Sequence, residues 1–133
     1  MTIEHINPSS WNAPQGYSHV VAATGGRTLY VAGQGAYDAD GKLVGPGDHE
    51  AQTRQAFRNL TEALAAAGAR PDQIVFSTMY VVGLNDDSFE AFIRGMNEAL
   101  DGKPIPPTAS TMVGVERLAY AEMLVEINAI AVV

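Results

Sequence analysis

The chain has 133 residues, of which 47% are apolar and none is cysteine, and its formal net charge is −7. This length and composition predict one globular domain over residues 1–133, and the missing cysteines exclude disulfides, thiolate catalysis and zinc–thiolate sites. The acidic charge disfavours nucleic acid as a partner, because it repels phosphate backbones.

The N-terminal residues Met1–His5 lack the basic and then apolar pattern of a signal peptide. No apolar run approaches the roughly 20 residues that cross a bilayer. We therefore expect a cytoplasmic protein that does not associate with membranes.

The first predicted strands, Tyr17–Ala23 and Thr28–Ala32, flank a Gly-Gly pair at positions 25 and 26. Such a pair between two β-type runs predicts a hairpin. The segment Asp38–Gly47 is rich in Asp, Gly and Pro and is predicted to be a loop. Asp48 is placed to cap the helix that follows, and an apolar stripe at helical spacing continues until Gly68, a typical residue after a helix end.

The second half of the chain again predicts strands and a helix. A strand is predicted over Gln73–Val82, and a second helix is predicted to begin at a cap on Asn85 or Asp86 and to end at Gly102. The proline-rich segment Lys103–Pro107 excludes helix and central strand.

Strands over Thr108–Val115 and Met123–Val132 complete a β-β-α-β-α-β-β order, which predicts an α+β sheet with two helices packed on one face. The last strand is apolar on both faces, with Val125 and Ile127 on one and Leu124 and Ile130 on the other. Because two helices cover only one face, we predict a homo-oligomer in which another subunit covers the second.

Glu126 is the first candidate for chemistry, since it lies between Val125 and Ile127 in a mostly apolar strand. A buried carboxylate is costly unless it is paired or useful, and burial would raise its pKa toward the range that suits a general acid or base. The alternative is an outward-facing residue on a half-solvated sheet.

Other candidates carry weaker signals. Tyr17 could close over a ligand, although a tyrosine at a strand start is more often a packing residue. Gly33 and Gln34 form a small-residue bend that by itself indicates a turn or bulge. The histidines have no ligand spacing, and no glutamate closes a calcium loop, so no metal is expected.

Several segments together resemble the Rid family, also called YjgF or reactive intermediate deaminases. The quoted matches are APQGYSHVV over 13–21, LYVAGQ over 29–34, the Gln-Thr…Asn-Leu…Ala-Gly pattern of the helix over 52–68, and VEINAIA over 125–131. They occur in the family's order and at its intervals along almost the whole chain.

The resemblance implies a chorismate-mutase-like α+β subunit and a cytosolic homotrimer with clefts between subunits and no cofactor. Family enzymes hydrolyse enamine and imine intermediates to 2-oxo acids and ammonia. It also implies that Glu126 is the catalytic glutamate that positions water, and that Tyr17, Gly33, Gln34, Ser110 and Thr111 line the site.

The sequence departs from the family where an arginine binds the substrate carboxylate, because Ser110 stands in that position. Ile93 likewise replaces an expected asparagine, and Ala32 an expected serine. Losing a bidentate arginine costs on the order of 2–4 kcal/mol. Whether Arg94 or Arg117 substitutes from a neighbouring subunit stays open.

The leading hypothesis is a RidA-like protein that acts on a small reactive metabolite, by hydrolytic deamination of an enamine or imine with an altered substrate. The alternative is a non-catalytic trimer that binds a small ligand or another protein. An endoribonuclease role, sometimes attached to the family, is disfavoured by the acidic charge.

Overall fold

A computed structural model describes residues 2–102 and 107–133. The elements in chain order are β1 (Thr2–Ile6), β2 (Val20–Thr24), β3 (Thr28–Gln34), α1 (His49–Ala66), a 3-10 turn (Pro71–Gln73), β4 (Ile74–Val82), α2 (Asp86–Ala99), β5 (Ala109–Val115) and β6 (Val125–Val132). The predicted α+β class is confirmed, and β1 is an additional strand that the sequence pattern did not reveal. The prediction for Lys103–Pro107 lies outside the described residues, apart from Pro107.

The strands form two sheets. The larger has the order β3-β6-β4-β5, in which β4 and β5 are parallel and the other neighbours are antiparallel. The smaller consists of β1 and β2. The predicted hairpin between β2 and β3 is therefore wrong: the chain does turn at Gly25 and Gly26, both at positive φ, but β2 pairs with β1 and β3 pairs with β6.

Both helices begin at the predicted caps. The Asp48 carboxylate accepts a hydrogen bond from the Ala51 N–H at 3.0 Å. The Asn85 side chain accepts one from the Ser88 N–H at 2.9 Å, and the Ser88 hydroxyl accepts one from the Asn85 N–H at 2.8 Å. These bonds satisfy N–H groups that have no partner inside the helix. Within the described residues, neither helix is long and apolar enough to span a bilayer.

The core lies between α1 and the larger sheet. Alternate residues of β6 face α1 and are buried, as are the apolar residues of α1, among them Phe57, Leu60 and Leu64. The second helix packs chiefly on α1, with the Phe57 and Phe92 rings 5.7 Å apart. A Cβ on Gly95 would lie 2.5 Å from the Glu50 carbonyl oxygen, so glycine permits the close crossing. Because α2 rests on α1, a space remains between α2 and strands β4 and β5.

Among the described residues, no helix covers the opposite face of the sheet. Tyr30, Ile130 and Phe76 lie side by side on it, on β3, β6 and β4. Tyr30 is 80% exposed and Phe76 is 44% exposed. This row of large apolar side chains, called here the outer row, is open to solvent in a single chain.

Candidate functional site

Five of the six predicted site residues fall into two groups on one chain, and Thr111 belongs to neither. Tyr17 and Ser110 border a cavity on the helix side of the sheet, and this group is called the cavity half-site. Gly33, Gln34 and Glu126 lie around the bend that ends β3, and this group is called the bend half-site.

The cavity has a volume of about 450 Å³ and occupies the space between α2 and strands β4 and β5. Its walls are mainly apolar. The lining residues are Gln15, Gly16, Tyr17, Phe57, Leu60, Ile74, Ser77, Met79, Phe89, Phe92, Ile93, Met96, Pro107, Thr108, Ser110, Met112 and Ile127.

Tyr17 reaches the cavity because the segment before β2 is tied to the start of β5. The buried Ser18 hydroxyl donates to the Pro107 carbonyl at 2.5 Å, and the Ser18 N–H donates to the Thr108 carbonyl at 3.0 Å. The Tyr17 ring is 39% exposed and meets the His19 ring edge-on at 5.3 Å. Tyr17 therefore forms part of the cavity mouth.

Ser110 faces the cavity beside Ser77, its partner in the parallel pairing of β5 with β4. Among the described residues, neither hydroxyl has a hydrogen-bond partner, whereas the nearby Thr108 hydroxyl donates to the Ile74 carbonyl at 3.1 Å. No residue with a charged side chain is found in the part of the lining that the structure describes.

Glu126 lies on the other face of the sheet, opposite Tyr80 of β4. It is half-buried, and its carboxylate lies against Gly33, where an added Cβ would be 2.6 Å from Glu126 Cδ. The pairing of β3 with β6 shifts register between Val31 and Gln34, which places Gly33 in a bulge. Glycine at position 33 thus makes room for the carboxylate.

Gln34 continues the bend beside α1. Its side-chain amide donates to the Ala32 carbonyl at 3.1 Å. Asn59 of α1 fixes the next turn by donating to the Gly35 and Tyr37 carbonyls, each at 2.8 Å. The bend half-site is therefore held by hydrogen bonds from a helix, which favours a fixed position for Gly33.

Tyr37 follows this turn, and its hydroxyl donates to the Glu122 carboxylate at 3.0 Å. Burial raises the pKa of the Tyr37 phenol, and the hydrogen bond and negative charge of Glu122 raise it further. These effects favour the neutral, donating form of the phenol.

The two half-sites are not joined within one chain. Ser110 points toward the helices and Glu126 points away from them, and β4 lies between their strands. Thr111 alternates to the exposed face, beside Thr78. Arg94 pairs with Glu50 at 2.5 Å, and the Arg117 guanidinium donates to the Leu118 carbonyl at 3.2 Å. Neither arginine is among the described residues that line the cavity of its own chain.

Sequence reasoning missed Ser77, Met112 and the apolar cavity wall. A single serine among β-branched residues gives no local signal, and its facing position depends on the pairing of β4 with β5. Across the ranges 2–102 and 107–133, no group of three or more His, Asp or Glu residues converges in a way that would hold a metal ion.

Comparison with known proteins adds a family assignment to this geometry. The family model described as Endoribonuclease L-PSP matches residues 8–133. A RutC family protein of Synechocystis sp. is 34% identical over 134 residues, covering 99% of this chain and 98% of the relative. The 2-iminobutanoate/2-iminopropanoate deaminase of Mus musculus is 39% identical over 61 residues, which is 45% of this chain and 44% of that enzyme.

A solved structure agrees over the full length. The crystal structure of a protein of unknown function of the conserved Rid protein family from Yersinia pestis superposes with a TM-score of 0.88 at 39% identity, and the match covers 100% of both chains.

Proposed function

Because this chain belongs to the Rid/YjgF family, we propose that it hydrolyses the C=N bond of a small imine or enamine in a cleft between neighbouring subunits. The observation that carries the proposal is the Glu126 carboxylate, held against Gly33 on the open face of the sheet. A carboxylate held in a fixed position can orient a water molecule and accept its proton.

The proposal includes assembly, because one chain keeps the two half-sites on opposite faces. A neighbour that covers the outer row would remove Tyr30 and Phe76 from water, which is favourable for large apolar side chains. In the same step, the neighbour can bring its cavity mouth to Glu126. The family resemblance implies a homotrimer, and we propose that state here.

The reaction needs only a base that can later act as an acid. Glu126 would accept a proton from a water molecule while the water oxygen adds to the imine carbon. Glu126 returns this proton to the imine nitrogen, which gives a neutral carbinolamine. The carbinolamine hydroxyl then passes its proton to the nitrogen through Glu126, the C–N bond breaks, and a carbonyl compound and ammonia leave. Imine plus water thus balances carbonyl plus ammonia, without any redox step.

The substrate should differ from that of the relatives that act on 2-imino acids. Arginine binds a carboxylate through two charge-assisted hydrogen bonds, and Ser110 offers one neutral hydroxyl. We therefore expect slow turnover of 2-iminobutanoate by the wild type. Ser110→Arg should raise that turnover by roughly 30- to 1,000-fold.

The assay generates 2-iminobutanoate with an amino-acid oxidase and follows its decay with and without protein. The proposal predicts that Ser110→Arg accelerates decay and that adding Glu126→Ala removes the gain. Acceleration that survives Glu126→Ala would show that the carboxylate does not position the water.

The competing proposal is a trimer that binds a ligand without turning it over, and it is favoured by the lack of charged side chains among the described residues of the cavity wall. The same assay separates the two, since a pure binding protein shows no Glu126-dependent decay with any imine. RNA cleavage, suggested by the description of the family model, is disfavoured by the net charge of −7.

A further inference from the structure

We infer that the cavity half-site binds an uncharged carbonyl compound with an apolar body, whose oxygen accepts hydrogen bonds from Ser77 and Ser110, or the corresponding imine, whose nitrogen accepts from one of the two hydroxyls. The conversion of this ligand rests on the proposed function, whereas its binding does not. Three features of the cavity indicate this ligand: the apolar wall, the volume, and the positions of the Ser77 and Ser110 hydroxyls.

The wall is apolar on both sides. From α2 it receives Phe89, Phe92, Ile93 and Met96, and from the sheet Met79, Met112 and Ile127. In the lining that the structure describes there is no lysine, arginine or histidine to pair with an anion. Against these described side chains a carboxylate would lose its hydration without gaining a cation, so they select against charged ligands.

The size of the cavity matches a small molecule. Its volume of about 450 Å³ falls within the range of roughly 300–1,000 Å³ typical of ligand pockets. Met79, Met96 and Met112 all contribute to the wall. Methionine side chains are flexible and polarisable, so they can adapt to a flat or branched apolar body.

The polar end is set by the pairing of β4 with β5. Ser77 and Ser110 are direct partners in the parallel register and face the same side, so their strands place them about 4.8 Å apart. Ser77 is only 8% exposed. Among the described residues, neither hydroxyl has a partner. A carbonyl oxygen placed between them has two lone pairs and can accept from both, whereas an imine nitrogen has one lone pair and can accept from one of them.

Three matched probes test this chemistry on the assembled full chain. Acetophenone is a neutral ketone, phenylglyoxylate replaces its methyl with a carboxylate, and ethylbenzene lacks the carbonyl. Binding is read from the methyl signals of ¹³C-methyl methionine. Met79, Met96 and Met112 report on the cavity, and Met123, which packs beside Gly35, is the internal reference.

We expect acetophenone to shift the three cavity signals and leave Met123 unchanged. Its affinity should exceed that of phenylglyoxylate by at least about 10-fold and that of ethylbenzene by roughly five-fold. Equal or tighter binding of phenylglyoxylate, or acetophenone shifts confined to Met123, would overturn the inference.

Two variants refine the result. Ser77→Ala/Ser110→Ala should abolish the preference for acetophenone over ethylbenzene while leaving ethylbenzene binding unchanged. A preference that persists in this variant would show that the two hydroxyls do not hold the carbonyl. Ser110→Arg should reverse the preference between acetophenone and phenylglyoxylate.

The binding result is independent of turnover. If acetophenone binds as expected but no imine decays in a Glu126-dependent way, the proposed hydrolysis fails and the inference stands. If wild-type protein turns over 2-iminobutanoate rapidly through Glu126 and prefers phenylglyoxylate, the inference fails and the hydrolysis stands.

Discussion

Gly33 and Glu126 form a pair in which the missing side chain of one makes room for the carboxylate of the other. Gly33 lies on β3 and Glu126 lies on its partner strand β6. A Cβ on Gly33 would overlap the Glu126 side chain. The neighbouring atoms belong to a flexible side chain and not to backbone, so a substitution should move the carboxylate more than it disturbs the fold.

Gly33→Ala should therefore lower Glu126-dependent imine decay by about 10-fold or more, since small displacements of a catalytic group are costly. The melting temperature should change little. Imine decay is measured with Ser110→Arg present in every variant. The variant that combines Gly33→Ala with Glu126→Ala should be no slower than the variant with Glu126→Ala alone, because both substitutions act through the same carboxylate. A further loss in the double variant would mean that Gly33 acts by another route.

The environment of Tyr37, which follows the bend, can be tested by the pH dependence of the free energy of unfolding. Because its pKa is raised in the folded state above the ordinary value near 10, folding favours the neutral phenol. This stabilisation is present below about pH 10 and is lost as the pH rises through the raised pKa. Urea unfolding of wild type should weaken more steeply above pH 10 than that of Tyr37→Phe. Parallel pH profiles for the two proteins would contradict the assignment.

At the scale of elements, Gln52 connects α1 to the segment before β6. It is fully buried, its amide donates to the Gly45 and Glu122 carbonyls at 3.1 and 3.3 Å, and its carbonyl accepts from the Leu124 N–H at 2.8 Å. One side chain thus satisfies backbone groups from two loops, and it fixes the approach of the chain to Glu126.

Gln52→Ala should lower the free energy of unfolding by about 2–4 kcal/mol, because it leaves buried backbone groups unpaired. The matched control is Gln55→Ala on the same helix, which removes the hydrogen bond that the Gln55 amide donates to the Asn59 side chain. This substitution should lower the free energy of unfolding by less than about 1 kcal/mol. Denaturant titration of both variants measures the difference, and equal losses would refute the special role of Gln52.

The elements also show which features the sequence could predict. The helix starts at Asp48 and Asn85 were predictable because a cap acts on N–H groups within the next few residues. The pairing of β2 with β1, and of β5 with β4, depends on contacts between distant parts of the chain, so the hairpin prediction failed. For the same reason, the sequence suggested Glu126 and Ser110 as site residues but did not place them on opposite faces.

At the scale of the whole molecule, the outer row presents Tyr30, Ile130 and Phe76 to solvent on one chain. We expect light scattering to give a mass near 42 kDa, three times that of the 14.1 kDa chain. Phe76→Arg should shift the mass toward the monomer, since it places a charge in the covered surface. Ala65→Arg, on the exposed side of α1, should leave the assembly intact. A monomeric wild type would refute the proposed assembly.

The claim that the site is shared between subunits is tested most directly by mixing two deficient chains. One carries Ser110→Arg with Glu126→Ala, so it has an arginine that can bind the substrate carboxylate but lacks the Glu126 base. The other is the wild type, which has Glu126 but no arginine at position 110 to bind the substrate carboxylate. The two are refolded together, and decay of 2-iminobutanoate is measured. Mixed oligomers should exceed both parents, because a cleft can then combine the anchor of one chain with Glu126 of the next. Activity no higher than the average of the two parents would contradict a shared site.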